Sequence, residues 1–268
     1  MMSHPIVSGA GAGAALLAAA SLAAAPAQAD HVGVELVSET TALVPGSSAW
    51  LGLRFVHEPH WHTYWINPGD SGLPTKLAWQ LPPGYSAGDV AWPAPQRIDV
   101  GELQNFGYEG DVLLPVPLEV PGEAKPDTTA HIVAQVKYLV CREECIPGKA
   151  DLAIDLPVSS AAGAAPKWFE AARAELPQAA KWQGNASLRG DKIEVALHGA
   201  DLPPISDAYV MDRKIVNYAR PQISRAADAV ILSFAKSDYF TVAPPQIDLL
   251  VRAGAHAWNV RVPFSSSP

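Results

Sequence analysis

The hydrophobic residues of this chain alternate with polar ones over many short stretches, which is the period of a half-buried β-strand. Before residue 158 the pattern predicts strands in HVGVELVSE, SAWLGLRFV, TKLAWQL, HIVAQVKYLV and ADLAIDLPV. After residue 184 it resumes in KIEVALHG, DAYVMDR, AVILSFA, PQIDLLVRAG and AWNVRVPF. Segments rich in proline and glycine, such as NPGDSGLP and LPPGYSAGD, separate the strands. The chain is therefore predicted to be all-β, with its strands arranged in two antiparallel sandwiches.

One segment between the two groups of strands departs from this pattern. Residues 159–165, SSAAGAA, have the small and flexible composition of a linker. The following PKWFEAARAEL predicts a short helix, because Pro166 suits a first helical turn and Pro177 ends the pattern. The apolar stripe of this helix is formed by Trp168, Phe169, Ala172 and Leu176. We therefore expect a first β-domain at residues 30–158, a linker and helix at 159–184, and a second, smaller β-sandwich at 185–268.

The N-terminal residues 5–29 form an apolar run rich in alanine and glycine that ends in Ala27-Gln28-Ala29. An ending of this kind is typical of a secretory signal peptide, so cleavage is expected after Ala29. An uncleaved anchor is the alternative, because neither Lys nor Arg precedes the run. With the signal peptide at residues 1–29 removed, we expect a protein of the periplasm.

The charge of the chain argues against several classes of partner. Residues 1–29 contain no Asp, Glu, Lys or Arg, so the remainder carries the whole formal net charge of −8. An acidic protein without a cluster of Lys and Arg binds nucleic acid and anionic membranes poorly. No nucleic-acid partner is therefore expected.

The two cysteines, Cys141 and Cys145, lie in the stretch VKYLVCREECIPGKADL. Predicted strands flank them, so residues 142–144 are expected to form a hairpin tip with the cysteines facing each other across its base. Closing a loop of about five residues removes roughly 2 kcal/mol of unfolded-state entropy, against ~5 kcal/mol for a loop of about 100 residues. The placement therefore favours thiol exchange, in which two thiols stay close in both redox states. A purely structural disulfide, and a metal site of two thiolates with nearby histidines, remain the alternatives.

Three histidines, at positions 57, 60 and 62, lie among the aromatic residues of HEPHWHTYW. His60 and His62, two residues apart on a predicted strand, would project from the same face and could bind copper or zinc. The alternative is a half-buried strand whose aromatic residues pack and whose histidines are solvated, with a structural or docking role.

Four motifs occur in a fixed order along the first half: HWHTYWINPGDSGLP, WPAPQRI, NFGYEGDVLLPV and YLVCREECIP. Together they resemble the N-terminal periplasmic domain of DsbD-like disulfide reductases, especially the ScsB type that is linked to copper tolerance. The resemblance covers roughly residues 30–157. The second half resembles the additional sandwich of the ScsB type more loosely.

The resemblance implies an immunoglobulin-like fold with a redox-active Cys141–Cys145 disulfide and no organic cofactor. Electrons would come from a membrane-embedded DsbD-, CcdA- or ScsB-like protein and pass to periplasmic thioredoxin-like proteins. By the same resemblance, Cys145 would be the nucleophile toward the downstream protein. The motif NFGYEG would form a cap over the disulfide, with Phe106 and Tyr108 as its shielding aromatic residues. The complete predicted cap is Asn105, Phe106, Gly107, Tyr108 and Glu109.

One departure from the family concerns the chain length. DsbD and ScsB continue into a membrane domain and a thioredoxin-like domain, whereas this sequence ends at Pro268. We expect either a standalone protein served by a separate membrane protein, or a part of a longer one. The predicted function is thiol–disulfide exchange as a protein-disulfide reductase component, in copper tolerance or cytochrome c biogenesis. The alternative is a copper-handling or scaffold module, without enzymatic activity, whose disulfide is structural.

Overall fold

The computed structural model describes residues 27–29, 31–163, 166–226 and 228–265. Apart from residues 27–29, the predicted signal peptide therefore lies outside the described residues. The strands of the first half, β1 to β11, are Ala27–Ala29, Val32–Ser38, Ser48–His57, His62–Gly69, Lys76–Gln80, Ser86–Ala87, Gln96–Val100, Leu103–Glu109, Asp111–Glu119, Thr129–Cys141 and Cys145–Pro157. Helix α1 spans Lys167–Ala174. Strands β12 to β19 are Gln178–Ala179, Gln183–Arg189, Lys192–His198, Asp207–Val210, Gln222–Ala226, Ala229–Ala235, Gln246–Ala253 and His256–Ser265.

Two sheets form the first sandwich. One has the strand order β1-β2-β3-β9-β6, and the other has the order β11-β10-β4-β8-β7 with β5 beside β10. Period-2 alternation produces their common core, because every second side chain of each strand points inward. The fully buried members of this core include Leu51, Leu53, Phe55, Ile132 and Val136.

The second sandwich is built from one eight-stranded sheet in the order β15-β18-β19-β13-β14-β17-β16, with β12 beside β19. Its separate core includes Ile193, Val195, Leu197, Leu232 and Val262. The predicted all-β class with two immunoglobulin-like sandwiches and one short helix is confirmed. In the part of the chain that the structure describes, no helix is long and apolar enough to cross a membrane.

Helix α1 packs on the first sandwich through Phe169, which is fully buried. A Cβ atom on Gly52 would lie 2.5 Å from Leu113 and 3.2 Å from the Phe169 ring, so the glycine leaves room for both side chains. Trp168 was predicted to lie on the same apolar stripe, but it is 45% exposed and lies beside the Arg54 guanidinium. The prediction is wrong at Trp168 because consecutive residues of a helix point about 100° apart.

A buried ion pair joins the two sandwiches. Arg97 on β7 donates hydrogen bonds to both carboxylate oxygens of Asp207 on β15, at 2.8 and 2.9 Å. The two side chains are only 5% and 7% exposed. Burial alone would raise the pKa of Asp207, but the hydrogen bond and charge of Arg97, the Ala208 backbone N–H and the charge of Arg220 together outweigh burial and hold that pKa below its ordinary value.

Aromatic rings surround this ion pair. The Phe106 ring meets Tyr209 and Tyr218 edge-on, with ring centroids 5.1 and 5.7 Å apart. The Arg97 guanidinium carbon lies 5.0 Å from the Phe106 centroid and 4.8 Å from that of Tyr209. Tyr209 belongs to the same buried cluster as the first core. The two sandwiches therefore share an apolar interior at their junction.

We predict that Asp207→Asn lowers the free energy of unfolding by about 3–5 kcal/mol, because Arg97 would remain buried without its counter-charge. Urea unfolding followed by tryptophan fluorescence measures the change. The matched control is Asp155→Asn, which removes an exposed partner of His131 and should cost less than about 1 kcal/mol. Equal losses in the two variants would contradict the assigned role of the buried pair.

Candidate functional site

The two cysteines close the tip of the β10–β11 hairpin. The two strands pair in unbroken register from Thr129 opposite Pro157 to Cys141 opposite Cys145. Cys141 and Cys145 are joined in a disulfide, with their Cα atoms 4.2 Å apart. Cys141 is 2% exposed, whereas Cys145 is an exposed residue. The hairpin therefore presents one cysteine to solvent and buries the other.

The strand register decides which face of the sheet carries the disulfide. Residues directly opposite each other in antiparallel strands project from the same face. Cys141 lies opposite His62 on β4, and His62 lies opposite Glu109 on β8. The inward-facing residues of β10, such as Tyr138 and Val140, belong to the core and project from the other face. We call the outward side, which carries both cysteines and His62, the disulfide face.

Tyr64 is the aromatic residue at the disulfide. Its hydroxyl oxygen lies 3.7 Å from Cys145 Sγ and 3.3 Å from His62 Nε2. Tyr64 is 1% exposed. Burial raises its pKa, and a hydrogen bond with Ser71 opposes that rise only in part. The hydroxyl is therefore protonated at neutral pH and can donate a hydrogen bond to a sulfur atom.

His62 is neutral at physiological pH. Burial, together with the nearby His57, lowers the pKa of His62 to about 4. Burial also lowers the pKa of His57, against the hydrogen bond of its ring with the Gly110 carbonyl oxygen. A neutral imidazole beside Tyr64 can accept a hydrogen bond from the Tyr64 hydroxyl or leave that hydroxyl to the sulfur atom.

His60 and His62 do not form the predicted same-face pair. His60 lies in the turn before β4, has a φ of 69° and is exposed. His62 begins the strand and is 1% exposed. Strand alternation therefore does not extend back to His60, so the same-face arrangement on which a copper or zinc pair would depend is absent. Across the residues described, no group of three or more His, Cys, Asp and Glu side chains could hold a metal ion.

The predicted cap residues on β8 divide between the two faces of the sheet. Tyr108 lies opposite Thr63, and its hydroxyl donates a hydrogen bond to the Pro93 carbonyl oxygen at 2.8 Å. Phe106, two residues away, shares the core side with Tyr108 and contacts the second sandwich. The register therefore assigns the ring beside the disulfide to Tyr64, whereas Phe106 and Tyr108 lie on the core side of the sheet.

The other three cap residues do project from the disulfide face. Gly107 lies opposite Tyr64, and a Cβ atom there would be 2.0 Å from the Thr63 carbonyl oxygen, so only glycine permits this strand spacing. Asn105 Oδ1 accepts hydrogen bonds from the Ser71 backbone N–H and hydroxyl. Glu109 is exposed opposite His62. Their role as a cap remains a prediction.

The loop after β4 covers Tyr64. A Cβ atom on Gly72 would lie 2.3 Å from the Tyr64 ring, and this glycine has a φ of 89°. Both the lack of a side chain and the left-handed backbone are therefore required at residue 72. Since Asn105 holds Ser71, the β8 strand fixes the segment that lies on the ring of Tyr64.

A stack of side chains holds the loop between the cysteines, and the sequence alone does not predict this stack. The Arg142 guanidinium carbon lies 5.6 Å from the Trp61 ring centroid. The His31 ring stacks on Trp61 at 3.8 Å and hydrogen-bonds to Glu58 at 2.7 Å. The motif around Trp61 was noted, but no local pattern links residues so far apart in the chain.

Residues 33–157 match the family model described as "Thiol:disulfide interchange protein DsbD, N-terminal". The matched range includes the disulfide hairpin, β4 and β8. No curated protein matches the chain at a significant level.

The chain is also similar in fold to a solved structure. The N-terminal periplasmic domain of ScsB from Proteus mirabilis superposes with a TM-score of 0.65 and 19% identity, over 89% of this chain and 95% of that one. Spo0M, a sporulation control protein from Bacillus subtilis, gives a TM-score of 0.25 at 11% identity, over 89% of this chain and 91% of that one. At 19% identity the ScsB similarity shows a common fold, and the Spo0M score is too low to indicate one.

The family match thus covers the sandwich that carries the disulfide, and the structural similarity extends over both sandwiches. Residues 33–157 are thus similar to the N-terminal domain of DsbD-like thiol:disulfide interchange proteins.

Proposed function

We propose that this protein is an exported, periplasmic thiol–disulfide exchange component that relays electrons through Cys141 and Cys145. The electrons would come from a membrane-embedded reductase and go to thioredoxin-like proteins. The observation that carries the proposal is a disulfide at a hairpin tip, with Cys145 exposed and Cys141 buried, in a domain similar to those of the interchange family. The redox domain would be residues 30–158, and residues 185–268 would be a second domain.

The difference in exposure supports a division of labour between the cysteines. A thiolate of the electron donor would attack Cys145 Sγ, break the Cys141–Cys145 bond and release Cys141 as a thiolate. A mixed disulfide would then join Cys145 to the donor. The second thiol of the donor would attack the donor's sulfur in that bond, so that Cys145 leaves as a thiolate. Two electrons and two protons would thus pass from the donor dithiol to the cysteine pair.

The transfer of electrons to the downstream protein would also proceed by thiol–disulfide exchange through a mixed disulfide. The Cys145 thiolate would attack the disulfide of an oxidised thioredoxin-like protein and expel one of its sulfurs as a thiolate. Cys141 would then attack Cys145 Sγ, re-form the intramolecular disulfide and release the reduced partner. The 3.7 Å contact between the Tyr64 hydroxyl and Cys145 Sγ supports a role for Tyr64 as hydrogen-bond donor to the Cys145 thiolate.

The physiological pathway depends on the identity of the clients. Copper tolerance and cytochrome c biogenesis are the pathways that we propose. A client trapped as a mixed disulfide would distinguish between them.

We predict that Cys141→Ser traps thioredoxin-like proteins that keep a single active-site cysteine as mixed disulfides, because exposed Cys145 can react and neither protein then has a second thiol to resolve the bond. The matched control, Cys145→Ser, leaves only buried Cys141 and should trap far less.

The double variant should lose electron transfer and remain folded, since the bond closes a loop of about five residues and its loss costs about 2 kcal/mol. Non-reducing gels, mass spectrometry and urea unfolding measure these outcomes. Electron transfer retained by the double variant would overturn the proposal in favour of a structural disulfide.

We predict that Tyr64→Phe slows alkylation of reduced Cys145 by iodoacetamide at neutral pH by roughly 2- to 10-fold. The reason is that the thiolate loses a hydrogen bond worth about 0.5–1.5 kcal/mol. Tyr138→Phe is the matched control, because its hydroxyl lies on the core side of the same hairpin and has no hydrogen-bond partner among the described residues. Equal rates in the Tyr64 variant and the wild type would show that the hydroxyl does not assist the sulfur.

A further inference from the structure

An apolar strip lies on the disulfide face, where an immunoglobulin-like sheet usually presents polar residues to water. On β4, alternation continues from His62 through Tyr64 to Ile66, and Ile66 is 39% exposed. The intervening Trp65 is fully buried in the core. Leu73, in the loop after β4, is 54% exposed. We call the exposed Ile66 and Leu73, which flank the buried Tyr64, the docking strip.

The docking strip is continuous with the reactive disulfide. Tyr64 contacts Cys145 Sγ, and Ile66 is the next residue of β4 on the same face. Gly72 lies against the Tyr64 ring, so the adjacent Leu73 is held beside that ring. The Tyr64 ring thus lies between Cys145 Sγ and the loop that contains Leu73, so a protein that reacts with Cys145 can also contact the strip.

The strip is held in place before any partner arrives. Asn105 accepts two hydrogen bonds from Ser71, and Asp70 accepts one from the Gln104 backbone N–H at 2.8 Å. These contacts attach the loop, which contains Leu73, to β8. Because little side-chain or loop ordering is then needed on binding, the burial of Ile66 and Leu73 can contribute directly to affinity.

The charges near the strip indicate which charged residues the partner carries around its contact surface. Glu143 and Glu144 are exposed in the loop between the cysteines, and Glu109 is exposed opposite His62. The one basic residue of that loop, Arg142, lies over Trp61. Acidic groups at the disulfide end favour a partner with basic residues around its reactive cysteine.

We propose that Ile66 and Leu73, on either side of the buried Tyr64, form the docking surface for the thioredoxin-like exchange partner, which presents an apolar rim and basic residues around its thiol. The inference rests on the proposed function and deepens it. On this proposal, the strip on the outer face beside Cys145 favours a protein thiol over a small thiol, and it is already formed before the partner binds. Docking does not require Phe106 or Tyr108 to move.

The test compares a protein thiol with a small thiol on the full chain. Rates of reduction of the Cys141–Cys145 disulfide are measured with reduced bacterial thioredoxin and with dithiothreitol, and their ratio is taken for each variant. Ile66→Glu and Leu73→Glu should each lower this ratio at least about tenfold, because they put a charge into an apolar contact. The rate with dithiothreitol should stay unchanged, since a small thiol needs no docking surface. The ratio for the wild type should also fall as salt is added.

The matched control is Leu188→Glu, which changes a 41% exposed leucine of the second sandwich and should leave the ratio unchanged. If a glutamate variant fails to fold by circular dichroism, Ile66→Ser with Leu73→Ser replaces it and should lower the ratio in the same direction. An unchanged ratio in folded strip variants would overturn the docking surface alone. A wild-type disulfide that thioredoxin reduces no faster than dithiothreitol does would overturn the proposed function itself.

Discussion

The pairing of β4 with both β10 and β8 is the constraint on which the site depends. Cys141 opposite His62, and Tyr64 opposite Gly107, place the disulfide and the Tyr64 ring on one face of the sheet. A shift by one residue would turn Tyr64 into the core and Trp65 toward the sulfur atoms. The register is held because Trp65 is fully buried in the core, and because the backbones of β4 and β8 approach so closely that residue 107 must be glycine.

The second sandwich restricts the movement of β8. Phe106 is buried between the first core and the rings of Tyr209 and Tyr218, and neighbouring Arg97 forms a buried ion pair with Asp207. Moving this strand would expose apolar area and separate buried charges, both of which are costly. The junction of the two sandwiches therefore favours a fixed β8, and a partner would reach Cys145 from the outer face. The second sandwich braces the disulfide-bearing sandwich through these contacts.

Local patterns were sufficient for the strands, the helix and the cysteine hairpin, because period-2 alternation and proline or glycine breaks are read over a few residues. Local patterns do not predict on which face of the sheet each aromatic residue lies. Phe106 and Tyr108 have the spacing of a shielding pair, but only the pairing of β8 with β4 shows that they face inward. His60 was misjudged because its positive φ, which ends the alternation, has no signal in the sequence. The Arg97–Asp207 pair joins distant residues, so no local pattern could have predicted it.

The central claim is that the Cys141–Cys145 bond is made and broken in function. An equilibrium redox titration of the full chain against defined thiol–disulfide buffers, followed by mass spectrometry of the alkylated cysteines, tests it most directly. The account predicts a reversible two-electron transition at a reduction potential above about −300 mV, within reach of thioredoxin-like proteins. Reduction that occurs only below about −300 mV would identify a structural bond and contradict the account.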